Sequence, residues 1–511
     1  MFQMTALVAK YIFLALMMLF TGMGFYMYLK KPNSIVCREL FSYQTAIIVI
    51  FNILSFVIII LKEVHTAQTM ETALEAGIIT ENAQMAGIKG IMLRFQQLTE
   101  KILPSWLRFS VVFTLLLYAG EMVFMYILLL TLHRHTNRLL WNCVFMLVSV
   151  GFVMLWRLDQ TTARYQVYWL ALCFIVINVV MLFFRGRWIW NIPVWLFLVA
   201  SVGLIVLPFV FPYEMNGSLN WVDLFGFTFQ PSEFVKIMFA FCLAVLYTKN
   251  RKLYSVMVAG AVTAFMALVL LIQRDLGTLL IFGILAWLMT YDYTGKHYVL
   301  WGGVFLVAIA GFFAYRLFDH VQVRFDIWID PWADVSGQGY QIAQSLFAIT
   351  DGGFFGRGLY QGAPGYIPAR TTDMIFAVIV EEFGGVFAIC LILTYLLMFL
   401  FVMETGRRER NQFRRNLLVA FGILFMSQTF IIVGGVIKLI PLTGVTLPFI
   451  SYGGSSLLSN FITIGIIEAV IRLYRIDREE ARKHAREGQI PQQIQGKQRI
   501  VLQPFEFGDP F

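Results

Sequence analysis

Charge is what this chain has least of. Asp, Glu, Lys and Arg supply 14% of its 511 residues, while 59% are hydrophobic; soluble chains carry nearer a quarter charged residues. The scarcity excludes a soluble globular class and points to an integral membrane protein. The five cysteines (Cys37, Cys143, Cys173, Cys242 and Cys390) are scattered, and no pair has disulfide or metal-ligand spacing. They read as small buried hydrophobes. The six histidines are dispersed, and none is assigned a ligand role. No Ser-His-Asp or Cys-His set, P-loop, Rossmann fingerprint or fixed-period repeat is present. The first apolar run is long and lacks a small-residue cleavage site after it, so no cleavable signal peptide is expected.

Long apolar runs are what the chain has instead. They fall near 7–28, 42–61, 109–132, 139–156, 166–184, 189–211, 232–248, 254–272, 276–291, 298–316, 373–402, 416–438 and 453–471. That predicts about thirteen transmembrane helices of roughly 20 residues each, in an all-α bundle rather than a barrel. The run at 373–402 is long enough to begin outside the membrane. The net charge of +9 does not imply nucleic acid, because the basic residues sit in short loops between apolar runs. One set of alternate connections holds Lys30, Lys31 and Arg38; Arg134 and Arg138; Arg185 and Arg187; Lys249, Arg251 and Lys252; Lys296; and Arg407, Arg408, Arg410, Arg414 and Arg415. Under thirteen spans these share one side with the basic tail, and that side is predicted cytoplasmic. The N-terminus is then outside and the C-terminus inside.

The opposite side takes the long connections. Residues 62–108 are mixed in charge with helical apolar spacing at Ile88, Ile91, Met92 and Phe95, which fits a solvated helix pair or a surface for another protein. Residues 317–372 form the longest external connection, and a loop of that length in a compact bundle is usually functional or disordered. Its aromatic and glycine content argues against simple disorder. The tail after the last span starts as a charged helix and becomes Gln- and Pro-rich.

Four stretches set polar groups beside apolar runs, two of them, FQPSEFVKI and LIPLTGVTLPFISYGGSS, at membrane depth. In FQPSEFVKI, Pro231 and Ser232 suit a helix start, and Glu233 and Lys236 share one face three residues apart. Such a pair either compensates its own burial or lines a polar cavity. Gln273-Arg274-Asp275-Leu276-Gly277-Thr278 reads as a turn with a capped helix after it. In the long connection, Arg324, Asp326, Asp330 and Asp334 precede GQGYQIAQSLFAITDGGFFGRGL, where Gln341, Gln344 and Ser345 follow helical spacing. Its glycines allow close backbone approach and, beside arginines, could hold phosphate. LIPLTGVTLPFISYGGSS is a Pro- and Gly-broken insertion offering Ser451, Ser455 and Ser456; broken backbone at that depth needs protein or water around it.

The chain is organised around a fifth stretch, GYIPARTTDMIFAVIVEEFGG, residues 365–385. Asp373 sits where a polar, Pro-broken segment turns apolar, with Arg370, Glu381 and Glu382 within about three helical turns. A carboxylate at the mouth of a membrane helix is costly unless paired, hydrated or used. It could cap the helix, as could Thr372, or it could carry chemistry.

Taken together, these motifs resemble the SEDS family of shape, elongation, division and sporulation proteins, the RodA/FtsW/SpoVE group. FQPSEFVKI, QRDLGT, GYQIAQSLFAITDGGFFGRGL, IPARTTDMIFAVIVEEFGG and PLTGVTLPFISYGGSS occur in the family's order, from about Leu139 to about Tyr474. The resemblance implies a ten-helix core over 139–474, including the external loop 317–372 before the third-last helix. An extension with three extra helices precedes it over 1–138, and a basic cytoplasmic tail follows over 475–511. It also implies a peptidoglycan glycosyltransferase that polymerises lipid II at the outer face of a bacterial cytoplasmic membrane, beside a class B penicillin-binding protein and other elongation or division machinery. The family's essential aspartate aligns with Asp373, and its cavity ion pair with Glu233 and Lys236. Where the family often has Glu-x-His-Thr-Asp-Phe, this chain has Ala369-Arg370-Thr371-Thr372-Asp373-Met374, so one acid is lost and Arg370 gained.

On this reading Asp373 is the catalytic base, and Arg324, Arg370 and Lys236 are candidates for the pyrophosphate, Arg324 preferred. Gln344, Ser345, Thr372, Glu381, Ser455 and Ser456 complete the cavity. A divalent cation, Mg²⁺ or Mn²⁺, could share the pyrophosphate role. Two other classes stand as alternatives: a flippase for lipid II, which also needs a polar cavity and many spans, and a non-catalytic scaffold for a penicillin-binding protein.

Overall fold

The apolar runs become long helices. The computed structural model describes residues 2–30, 35–75, 111–133, 136–186, 193–215, 218–224, 227–248 and 252–486. In chain order these form α1 (Phe2–Leu29), α2 (Ile35–Glu75), α3 (Val111–Thr131), α4 (Arg138–Leu158), α5 (Gln160–Phe183), α6 (Val194–Val210), α7 (Pro231–Leu246), α8 (Lys252–Ile272), α9 (Leu276–Thr294) and α10 (His297–Leu317). Then come α11 (Asp319–Ile329), α12 (Tyr340–Gly352), α13 (Ile375–Phe383), α14 (Gly385–Arg408), α15 (Gln412–Val436) and α16 (Gly454–Arg486). A three-stranded antiparallel sheet, β1 (Tyr213–Met215), β2 (Ser218–Leu224) and β3 (Phe227–Phe229), joins α6 to α7. The apolar pattern did not predict it.

The chain is a multi-pass helical membrane protein. Among the described residues, eleven helices are long and apolar enough to cross a membrane: α1–α5, α8–α10 and α14–α16. The expected count of thirteen is not reached, because α6 and α7 are only 17 and 16 residues long. The run at 373–402 is not one helix. It breaks at Gly384, whose φ of +90° ends the 9-residue α13 before the 24-residue α14 starts. The long connection is itself structured, by α11, α12 and a 3₁₀ turn at Pro364–Tyr366. The apolar periodicity expected at Ile88–Phe95 and the Gln-rich end of the tail lie outside the described residues. So does the side chain of Cys37; the other four cysteines are free and buried.

Caps agree with local sequence. Asn137, Asp159, Asp275 and Asn411 each accept backbone N–H groups at the starts of α4, α5, α9 and α15, satisfying donors that a helix start leaves open. α4 lies at the centre, buried on every side over its spanning window, and α15 and α16 are nearly as enclosed. α10 is the opposite case, with no buried residue.

The three leading helices pack onto this core. Asn52 Nδ2 of α2 donates to Ser149 Oγ of α4 at 2.9 Å, and Asn142 Nδ2 donates to Gln44 Oε1 at 3.3 Å. Tyr118 of α3 stacks on Phe152 with centroids 4.0 Å apart and donates to Ser149 Oγ at 3.2 Å. Polar side chains are a common link between helices where burial in lipid offers no hydrophobic gain. At one end of the bundle the sheet, α11–α13 and the insertion between α15 and α16 converge. At the other, Arg414 pairs with Glu409 and Asp477, and Arg415 with Asp292.

Candidate active site at the start of α13

Asp373 is presented by a strained turn. Ala369 adopts φ +51°, and its carbonyl accepts from the N–H groups of Thr372 and Met374, both at 3.1 Å. Left-handed conformations at non-glycine residues cost about 1–3 kcal/mol and gather at functional sites. Here Arg274, Lys438 and Phe449 share that conformation on the loops nearby. α13 begins two residues after Asp373, with Met374 as its cap and no side-chain cap bond. The capping alternative is therefore overturned for both Asp373 and Thr372.

The insertion after α15 clasps this turn. Ser451 Oγ donates to the Thr372 carbonyl at 2.7 Å, and Tyr452 N–H donates to the Thr371 carbonyl at 2.9 Å. Gly444, at φ +77°, borders the carboxylate: an added Cβ would sit in ordinary contact, 3.6 Å from Asp373 Oδ2. From α11, Arg324 Nη1 donates to the Leu442 carbonyl at 3.1 Å. Two segments distant in sequence, the insertion and α11, thus surround one half-buried carboxylate.

Electrostatics follow from that enclosure. Burial pushes Asp373 up to about 6, against the opposing hydrogen bond from Thr372 and the positive charge of Arg324. Burial likewise lowers Arg324 from its ordinary value, opposed by the charges of Asp275 and Asp373. Asp275 is not available for chemistry. Its carboxylate accepts from Asn220 Nδ2 (2.9 Å), Gln230 Nε2 (3.1 Å), Ser232 Oγ (3.2 Å) and both the N–H and the hydroxyl of Thr278 (3.0 and 2.9 Å). It caps α9, as expected, and ties the sheet and α7 to it.

A second polar cluster lies deeper. Lys236 Nζ and Glu233 Oε2 are 2.7 Å apart and both buried. Ser459 Oγ donates to Glu233 Oε2 at 2.8 Å, and Lys236 Nζ donates to Gln428 Oε1 at 3.2 Å. These residues line a small cavity with Asn460 and Thr463. Gln428 Nε2 donates to the Thr446 carbonyl at 3.0 Å, and Thr446 shares a 2.7 Å hydrogen bond with Ser456. The ion pair is thus linked to the insertion two residues beyond Gly444. Ser455 accepts from Gln230 N–H at 3.2 Å, at the start of α7. Gln428, Ser459 and Asn460 were not singled out from the sequence. The available signal was a polar side chain inside each of two apolar runs.

Other candidates lie elsewhere. Ser345 is fully buried, and its hydroxyl donates to the Ile342 and Val436 carbonyls, tying α12 to α15. Gln344 is half-buried on α12. Arg370 donates to the Gly365 carbonyl at 3.2 Å within its own turn. Glu381 and Glu382 face the far end of α13. Glu381 accepts from Ala363 N–H at 2.7 Å, and Glu382 pairs with Arg157 at 2.8 Å. The glycine-rich segment is not arranged as a phosphate cradle. Arg357 and Gly358 N–H groups donate to the Glu381 and Glu382 carbonyls at 2.9 and 2.8 Å, where the last turn of α13 leaves acceptors open.

Comparison with known proteins agrees with this architecture. A family model described as cell cycle protein, covering FtsW, RodA and SpoVE, matches residues 137–476. The chain is 32% identical over 369 residues to the peptidoglycan glycosyltransferase RodA of Mycobacterium tuberculosis, covering 66% of this chain and 78% of that protein. It is 32% identical over 355 residues to stage V sporulation protein E of Bacillus subtilis, covering 65% and 95%. Among solved structures, a chain of a peptidoglycan synthase complex superposes with a TM-score of 0.57 at 24% identity, over 66% of this chain and 98% of the other. The Thermus thermophilus rod shape determining protein RodA gives 0.50 at 24%, over 66% and 97%. These structural likenesses carry the fold, and the match over most of the length from α4 to α16 carries the kinship: the chain belongs to the FtsW/RodA/SpoVE family of cell cycle proteins.

Proposed function

We propose that this protein is a peptidoglycan glycosyltransferase that polymerises lipid II at the outer face of a bacterial cytoplasmic membrane. The observation that carries the reading is Asp373: one carboxylate, half-buried, raised to about 6 and set beside a cation and a glycine at the mouth of the bundle. An unactivated sugar hydroxyl needs a general base, and a base titrating near neutrality is well matched to the task. Asp373 takes the proton of the acceptor hydroxyl as its oxygen attacks the anomeric carbon. The bond to the lipid pyrophosphate breaks, and negative charge grows on that leaving group. Arg324 stabilises it. Arg324 is favoured among the three because its charge already acts on Asp373, whereas Lys236 is engaged by Glu233 and Gln428. One carboxylate with a cationic site suits an inverting displacement, unlike the paired acids of glycoside hydrolases.

Among the described residues no three His, Cys, Asp or Glu side chains converge as a ligand set. A Mg²⁺ or Mn²⁺ ion would have to be held largely by water and the substrate's own phosphates, as Mg²⁺ commonly is. The excess of Lys and Arg in alternate loops supports an outside N-terminus and an inside C-terminus. That orientation puts Asp373 on the outer side. A class B penicillin-binding protein is the proposed partner, a reading supported by a structural neighbour that is a chain of a peptidoglycan synthase complex coordinating polymerization and crosslinking.

The test is to incubate the purified chain with lipid II, with and without a cognate transpeptidase and a chelator, and to resolve the products by length. Glycan strands are the expected product. Lipid II that stays monomeric with folded protein under every condition would overturn the reading.

A further inference from the structure

The segment before the family match, residues 1–136, has no role in the reaction as described so far. Its first helix nevertheless reaches the site's foundation. Residues 352–364 form a strap beneath the far end of α13. Its outgoing arm donates Arg357 and Gly358 N–H to the Glu381 and Glu382 carbonyls, and its Gly353 and Phe354 carbonyls accept from Gly385 and Val386 N–H at 2.9 and 3.2 Å. Gly356 runs so close to that break that a Cβ there would lie 2.3 Å from the Glu382 carbonyl oxygen. The return arm is held by α4: Arg157 pairs with Glu382, donates to the Gly362 carbonyl at 3.1 Å and lies over the Tyr360 ring at 5.0 Å.

The third side is closed by α1. Lys10 Nζ donates to the Gly356 carbonyl at 2.9 Å. Phe13, fully buried, packs edge-on against Phe383 at 5.3 Å and Phe51 at 5.0 Å. Phe2 meets Tyr360 at 6.1 Å, and the Ala6 carbonyl lies 3.2 Å from where a Cβ on Gly358 would be. Three turns of α1 therefore press on the strap. The strap leads through Pro364–Tyr366 into the turn that carries Asp373. A lysine engaged with a backbone carbonyl on a neighbouring segment is a directional contact, not generic apolar packing.

Resting on the glycosyltransferase reading, we propose that α1 is a positioning element of the transfer site and Lys10 its positioning residue. Lys10 fixes the strap, the strap fixes the far end of α13 and leads through Pro364–Tyr366 into the turn of Asp373, and Asp373 is thereby held against the acceptor hydroxyl. The added helices are on this view part of the catalytic frame, and removing their grip moves the base without touching it.

The experiment compares the purified full chain with Lys10→Met, which keeps the stem and loses the donor, and Lys10→Arg, which can still donate. Lipid II polymerisation is measured across substrate concentration, alongside thermal unfolding and amide hydrogen exchange over residues 353–366. Lys10→Met is expected to lower kcat about tenfold with KM within about twofold, since small misplacements of a catalytic group cost one to two decades. Exchange at Arg357 and Gly358 should rise, and Lys10→Arg should restore most of both. Phe13→Leu, which keeps apolar bulk, should show the same pattern more weakly and serves if Lys10→Met does not fold. Wild-type kcat in these variants overturns the proposal, even if strap exchange rises, because the brace would then not reach Asp373. A wild-type chain that fails to polymerise lipid II would instead overturn the glycosyltransferase reading, and the exchange measurement would still stand.

Discussion

The two ends of α13 are held in opposite ways. At its far end the acids are bonded directly: Glu381 and Glu382 offer their carbonyls to the strap and one carboxylate oxygen each to Ala363 and Arg157. At its near end Asp373 has no ion-pair partner within bonding distance, with Gly444 bordering Oδ2, a hydrogen bond from Thr372 and Arg324 acting through its charge. Both ends bury carboxylates. One end converts burial into rigidity, and the other keeps a carboxylate raised and open to a proton. A reacting group must be positioned without being consumed by the bonds that position it. On the proposed mechanism, distributing the two tasks along one short helix meets that requirement.

The sharpest way to break the comparison is Asp373→Asn. Lipid II polymerisation should fall by about 10²–10⁴-fold, the usual worth of a positioned base, with the melting temperature unchanged or higher, because a buried carboxylate is relieved. A variant that polymerises normally would remove Asp373 from the mechanism.

Arg157→Met strikes the rigid end. It strands Glu382 in the interior without its cation, a loss of about 3–5 kcal/mol, read as a lower unfolding midpoint in detergent. Activity per folded molecule should fall by a smaller factor than in Asp373→Asn. The reverse pattern, with stability intact and activity abolished, would mean the two ends had been assigned the wrong way round.

Glu233→Gln tests the deeper pair. Lys236 keeps Gln428 and a neutral partner, so the cost should be about 1–3 kcal/mol, with polymerisation reduced but measurable. The smallest effect is in pH. A base raised to about 6 is protonated below that value, so the polymerisation rate should climb through about pH 6 and level off above it. The sign for stability is opposite. A carboxyl whose folded pKa is raised contributes stability that is present below its unfolded value, near 4, and is lost as pH rises through about 6. A flat rate profile between pH 5 and 7 would contradict the assignment of Asp373 as base.

Much of this was legible in the chain. Apolar run length located the spanning helices, Asp275 read as a cap, and Glu233 and Lys236 three residues apart read as a pair; each depends on local periodicity or a single turn of helix. Less was legible where distance in sequence is large. Nothing in the run at 373–402 announces that Gly384 adopts φ +90° and divides it in two. The glycine-rich stretch read as a possible phosphate site because glycines permit close approach; what approaches is the end of α13. Gln428 and Ser459 look like tolerated polar residues until Lys236 and Glu233 are found beside them.

The sequence alone determined that the chain is a membrane helical bundle, and it singled out the one acid worth most attention, because hydropathy, helix periodicity and motif order are all written within a few turns of chain. Only the tertiary structure decided what surrounds that acid. The Arg324 charge, the bordering Gly444, the Ser451 clasp and the Lys10 contact with the strap come from segments tens to hundreds of residues away, and their convergence depends on how the helices pack, which no local pattern encodes.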